Sequence, residues 1–214
     1  MPFESNTERA VNEIQVDTAL GQAVWGMRGQ VRSPVLHWVA NGRLLAVAET
    51  STQRFGIRKD ISLRELDTMH AIERLPSAGD IPSEFRHSTL DWVLWRFARY
   101  ADSSFVELPD RFKSSPINIL RQPPVPDAWV SATQRVILER LSNGPTLFDE
   151  LEAQLKLNAE ALMRELVGLY FTRCIHATKK TKTEAGNWSM GTFKGWISSQ
   201  IKSRNSNSPG STNP

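Results

Sequence analysis

Cys174 and His176 stand two residues apart, the spacing that places a thiol and an imidazole on one side of an extended strand, where the imidazole could take the thiol proton. Cys174 is the single cysteine of the chain. Flanked by Arg173 and Ile175, it reads equally as a small apolar side chain that packs well. The remaining histidines, His37, His70 and His87, are scattered, with no Cys, Asp or Glu at the spacing a zinc site needs. Neither G-x-x-x-x-G-K-[ST] nor G-x-G-x-x-G occurs, so no phosphate-cradling loop, metal or cofactor is expected. No linear pattern here indicates an enzyme.

Charge is the second source of chemistry. From Arg173 to the end there are seven bases (Arg173, Lys179, Lys180, Lys182, Lys194, Lys202, Arg204) against the one acid Glu184, a balance of about +6 in a chain whose net charge is +3. Lys179-Lys180-Thr181-Lys182 could track a phosphate backbone or an acidic partner; the same lysines also suit a solvated loop. Just upstream the balance reverses. Between Ser131 and Tyr170 the bases Arg135, Arg140, Lys156 and Arg164 face the acids Glu139, Asp149, Glu150, Glu152, Glu160 and Glu165, which disfavours a phosphate-facing surface.

The elements that must position these groups are legible in this half. Ser131 can cap a helix carrying Val136, Ile137, Leu138 and Leu141, which Asn143-Gly144-Pro145 stops. A second helix is expected from Thr146, with Asp149 near its positive end and Leu147, Phe148, Leu151 and Leu155 on one face. Asn158 can cap a third, bearing Leu162, Leu166, Val167 and Leu169. Phe171 to Thr178 is β-favouring, Lys179 to Asn187 is polar, and Trp188-Ser189-Met190 could return as a strand. In the spacing of Leu162, Leu166, Leu169, Tyr170, Arg173, Cys174 and Ile175, the segment resembles the winged-helix superfamily. That resemblance implies a helix-turn-helix followed by a wing. Its contacts to a nucleic acid or an acidic partner would fall on Asn158, Arg164, Arg173, Lys179, Lys180 and Lys182, of which Asn158 and Arg164 are ordinary base readers.

The first half reads as α+β. Val35 to Ala40 and Leu44 to Ala48 around Asn41-Gly42 predict a hairpin with a type I′ turn, since both central residues tolerate positive φ. Val24 to Met27 and Phe55 to Ile57 are expected to flank it as strands. Ser62 can cap a helix over Leu63 to Leu75 and Ser88 one over Leu90 to Tyr100, the loop between them bracketed by Pro76 and Pro82. The second helix carries Trp92, Trp95, Phe97 and Tyr100, an aromatic stripe that suits a core. Arg54-Phe55-Gly56-Ile57-Arg58 followed by Asp60-Ile61-Ser62 is similar to the two halves of the cyclic-dinucleotide motif of PilZ domains. Here the halves are nearly adjacent and Glu65 stands where that family has glycine, which leaves the arginines as exposed strand positions.

Composition, 40% hydrophobic and 23% charged, is that of a soluble globular chain. No apolar run long enough to span a membrane and no basic segment followed by an apolar stretch occurs, so neither spanning nor export is expected, and one cysteine forms no intrachain disulfide, so a cytoplasmic setting is expected. Pro116 and Pro123-Pro124-x-Pro126 suggest an extended linker. The expected organisation is therefore a flexible lead-in (1–22), an N-terminal α+β domain with a small antiparallel sheet (23–113), a proline-rich linker (114–127), a three-helix winged-helix-like domain (128–197) and a disordered tail (198–214). This layout is similar to that of bacterial regulatory and adaptor proteins. The expected role is regulatory or scaffolding, through a protein partner; a DNA-binding regulator using the winged helix and the basic wing is the alternative.

Overall fold

The computed structural model describes residues 6–27, 33–102 and 107–178, with the side chains of the first helix described from Ala10 onward. These residues belong to one compact unit, Met1–Lys179. The architecture is α+β, with an antiparallel five-stranded sheet and seven helices among the described residues.

The hairpin forms at the expected place: β1 (Val35–Ala40) and β2 (Arg43–Glu49) pair antiparallel, with Asn41 at φ 51° and Gly42 at φ 76° closing the turn. β3 (Arg54–Arg58) extends it on the β2 side. The helix expected over residues 63–75 is cut short. Ser62 starts α2 (Leu63–Thr68), its backbone N–H donating to Glu65 Oε2 at 2.8 Å, but His70–Arg74 then runs as β4 along β1. Without β4, one edge of β1 would carry unpaired backbone groups, and satisfying them outweighs the modest helix propensity of these residues. β5 (Phe85–Thr89) pairs with β3, giving the order β4-β1-β2-β3-β5.

Because β4 and β5 lie at opposite edges, residues 75–84 must cross the sheet. They cross on the face away from the helices: Ala78 O lies 2.9 Å from His37 Nε2, and a Cβ on Gly56 would fall 2.3 Å from Ile81 Cγ2. Gly56 is glycine because the crossing chain occupies the space of a side chain. On the other face Leu36, Trp38, Ala46, Ala48, Phe55 and Ile57 form a buried apolar surface, as the register requires.

Two helices cover that surface. α1 (Asn6–Gly26) corrects two expectations at once: residues 6–22 are helix rather than a flexible lead-in, and Val24 to Gly26 are its last turn rather than a strand. The apolar residues there are spaced for one buried stripe, with Val16 and Leu20 in the core. Asp17 lies in the same stripe, 1% exposed, and is neutralised by two arginines, Arg86 of β5 and Arg96 of α3 (Leu90–Tyr100), the latter at 2.5 Å. α3 is capped by Thr89 rather than Ser88, Thr89 Oγ1 accepting from Trp92 N at 3.2 Å.

The proline-rich segment is not a linker. β6 (Ile117–Ile119) lies between β7 (Ile175–Ala177) and Thr146, Val125 is buried, and Trp92 Nε1 donates to Pro124 O at 3.1 Å. Prolines lack donors, but the residues between them keep theirs: Ile117 N donates to Thr146 O at 2.8 Å and Leu120 N to Cys174 O at 2.7 Å. The segment straps the two halves together. The expected division into separate domains at 114–127 is replaced by one unit with two adjoining cores.

The second core is helical. α4 (Arg111–Ser114) contributes Phe112, and α5 (Ala132–Ser142), α6 (Phe148–Leu155) and α7 (Ala159–Phe171) follow the expected three-helix layout. Ser131 and Asn158 cap as the sequence implies, accepting from Gln134 N at 3.0 Å and Ala161 N at 2.8 Å. Thr146 does not start α6, because its backbone is bonded to Ile117. The strand expected over 171–178 shrinks to β7, since Phe171 ends α7. The wing and return strand, 179–190, and the tail, 198–214, lie outside the described residues.

α1 and α3 pack in close contact at Gly21, where an added Cβ would stand 2.4 Å from Phe97 Cβ and 2.8 Å from Val93 O. Gly21→Ala gains about 1 kcal/mol of helix propensity but must part the helices, an overpacking cost of about 1–3 kcal/mol. A lower urea midpoint is expected. Gly26→Ala, which meets nothing within 4 Å, should leave the midpoint unchanged or slightly raised.

Candidate functional site

A cavity of about 420 Å³ opens where the last turn of α1, the start of β1, the β2–β3 turn, the first turn of α3 and the end of α7 converge. Its size falls in the range of small-molecule sites. Trp25 and Phe171 stack at 3.7 Å and 27°, and Phe171 stacks in turn on Phe97 at 5.6 Å, so α1, α7 and α3 share one aromatic column. Trp25, Phe171, Leu36 and Leu94 line the apolar side; Gln53, Asp91 and Arg173 line the polar side.

Asp91 is buried in the first turn of α3, where a carboxylate meets the positive end of the helix. Its Oδ2 accepts from Arg121 Nη2 at 2.9 Å, and the same nitrogen donates to Thr172 O at 2.6 Å. One guanidinium thus ties α3, the proline-rich strap and the end of α7. Gln53 holds the β2–β3 turn, its Nε2 donating to Thr50 O at 2.7 Å and its carbonyl accepting from Leu90 N at 3.0 Å.

Among the described residues four non-glycine positions have positive φ, and two of them line this cavity: Gln53 at 61° and Arg173 at 57°. Arg173 sits just past α7, where Cys174 N donates to Leu169 O at 2.7 Å and Arg173 N to Tyr170 O at 3.0 Å. This is the helix-terminating geometry in which glycine is usual, because a side chain there costs about 1 kcal/mol.

Of the contact residues expected from the sequence that are described, Asn158, Arg164 and Arg173, only Arg173 lines the cavity. Asn158 spends its Oδ1 on the cap of α7. Arg164 pairs with Glu160 at 3.7 Å and borders a groove of about 250 Å³ with Arg99 and Glu165. Asn158 and Arg173 stand at opposite ends of α7, about 20 Å apart by helical rise. Lys179, Lys180 and Lys182 lie outside the described residues. The PilZ-like fragment is consumed locally: Arg54 pairs with Glu49 at 3.3 Å and Arg58 with Asp60 at 2.9 Å, while Glu65 receives Arg43 at 2.7 Å.

No family model matches this chain, and no curated protein or solved structure matches it.

Cys174 and His176 do not form a couple. The Cys174 sulfur lies 3.1 Å from Thr172 Oγ1, and burial raises its pKa, which keeps it a neutral thiol. His176 is opposite Asn118 across the β6–β7 pair, with Nδ1 buried and without a hydrogen-bond partner among the described residues. Among the described residues no group of three or more His, Cys, Asp or Glu is placed to hold a metal ion, and no helix is long and apolar enough to cross a membrane.

Sequence reasoning missed Gln53, Asp91, Trp25 and Phe171 as cavity residues. Gln53 carries no signal, since its φ is set by the turn it closes. Trp25 and Phe171 fall in segments expected to be strands, and Asp91 falls in the first turn of the helix expected over Leu90 to Tyr100. Asp17 had a usable signal: a carboxylate in the stripe of Val16, Leu20 and Val24 needs a buried cationic partner.

Burial pushes the His176 imidazole below its ordinary 6.5, and the Arg111 cation adds to this. The unfolded chain therefore takes up the proton first, so stability is full above about pH 6.5 and declines as pH falls through the folded value. Urea midpoints between about pH 7.5 and 5 should fall less steeply for His176→Gln than for the parent chain.

Proposed function

We propose that this protein is a non-enzymatic regulatory or scaffold protein that works through protein–protein contact, with a winged-helix-like C-terminal half used as part of the contact surface. The observation that carries this reading is the setting of α7, the helix that would read bases. Its second half is enclosed: Leu166, Val167, Gly168, Leu169 and Phe171 are buried in the core shared with α3. What it exposes is Ala159, Glu160 and Arg164. Arg164 is already paired with Glu160, and Asn158 is committed to the cap.

The outer surfaces of α5 and α6 support the same reading. Their exposed residues include Glu139, Asp149 and Glu150, the bases Arg135 and Arg140, and Val136 (48% exposed) and Leu147 (37% exposed), a mixed-charge and apolar surface that suits a protein partner better than phosphates. The β6 strand supports it too: it fills the middle position between β7 and Thr146, so the small sheet is built with a segment that precedes the three helices.

DNA binding is the competing reading, on the strength of the basic residues from Arg173 onward. Duplex titration by fluorescence anisotropy separates the two. The expected result is no binding at about 50 mM salt, together with a protein partner recovered by the parent chain and lost by the folded variants Val136→Glu and Leu147→Glu. Binding that collapses between about 50 and 200 mM salt, and that is abolished by charge reversal at Lys179, Lys180 and Lys182, would overturn the proposal.

A further inference from the structure

The cavity where α1, α3 and α7 converge has a charge pattern that stands apart from any protein contact. Asp91 is neutralised by Arg121. Arg173 has no ion pair among the described residues, so the described lining of the cavity carries one uncompensated positive charge. The first turn of α3 opens on the same space and adds to the positive potential. The stacked pair Trp25 and Phe171 lines the cavity together with Leu36 and Leu94, which form its apolar slot.

Arg173 is also the wrong residue for its backbone. At φ 57° after a helix, glycine would relieve strain, and the arginine persists where it lines the cavity. Lys156 is a built-in comparison: it ends α6 at φ 53° and is exposed, as Arg173 is, but lies outside the cavity.

From these observations we infer that the cavity binds a planar aromatic carboxylate, its ring in the slot walled by Trp25 and Phe171 and its anionic group on the Arg173 guanidinium, with Gln53 at hydrogen-bonding reach of the polar end. A guanidinium binds a carboxylate through two parallel N–H donors, which fixes the orientation of the ring.

The test uses 2-naphthoate and its neutral counterpart 2-naphthamide as probes, titrated calorimetrically into the full chain. The expected result is saturable binding of 2-naphthoate at least tenfold tighter than of 2-naphthamide. Arg173→Gly should erase that preference while raising the urea midpoint, so the loss cannot be ascribed to unfolding. Lys156→Gly should also raise the midpoint and leave binding unchanged. Leu94→Trp, which fills the slot, should abolish binding of both probes. Absence of binding at millimolar 2-naphthoate, equal affinity for the two probes, or undiminished carboxylate preference in Arg173→Gly would each overturn the assignment.

Discussion

α3 is an eleven-residue helix with no face left to water along most of its length, and the rest of the molecule is arranged to meet that demand. Leu90 and Val93 enter the core over the sheet; Trp95, Phe97 and Ala98 enter the core built with α7. Each large side chain buried this way contributes roughly 1.5–3 kcal/mol, so a half that lost α3 would forfeit a large part of a domain's usual net stability. Neither core closes without the other's helix. The polar groups follow the same logic. Arg96 leaves the apolar faces of α3 to neutralise Asp17 on α1 and lies 4.8 Å over the Trp129 ring, while Asp91 engages Arg121 of the strap. Both carboxylates are buried and would be costly alone; each is tolerated because a guanidinium from another element neutralises it.

This shared helix also explains where the cavity lies. Three layers meet at α3: the sheet, α1 and α7. They meet well along its middle, where Gly21 lets α1 come within backbone distance and the Trp25–Phe171–Phe97 column fills the gap. At the first turn of α3 the sheet ends in the β2–β3 turn and α7 ends at Thr172, so the layers diverge and leave a space. The residues that must turn the chain around it, Gln53 and Arg173, are the ones held in left-handed conformations.

Local signals in the sequence were sufficient where local chemistry decides. Asn41-Gly42 marked the hairpin, and Ser131 and Asn158 marked helix starts that the structure keeps. Signals failed where a distant partner decides. His70–Arg74 has no strong preference and becomes a strand because β1 offers an open edge. Pro116 to Pro126 looks like a spacer until Thr146 and Cys174 are seen to supply partners for its backbone. Residues 6–22 look weakly apolar because their buried stripe includes Asp17, whose cations lie in β5 and α3. The candidate site was the least legible part, since its wall is assembled from five separated segments and only Arg173 had been marked by its charge.

Native-state hydrogen exchange on the intact chain tests the shared-core account most directly. Residues Leu45–Ala48 of β2 and Leu166–Leu169 of α7 are buried in the sheet layer and the helical layer respectively, and their amides report on the two cores. If α3 makes the two cores one cooperative unit, both sets exchange with the same opening free energy and the same urea dependence. Exchange of the α7 amides at distinctly lower urea than those of β2, or the reverse, would show two separately folding halves and contradict the account.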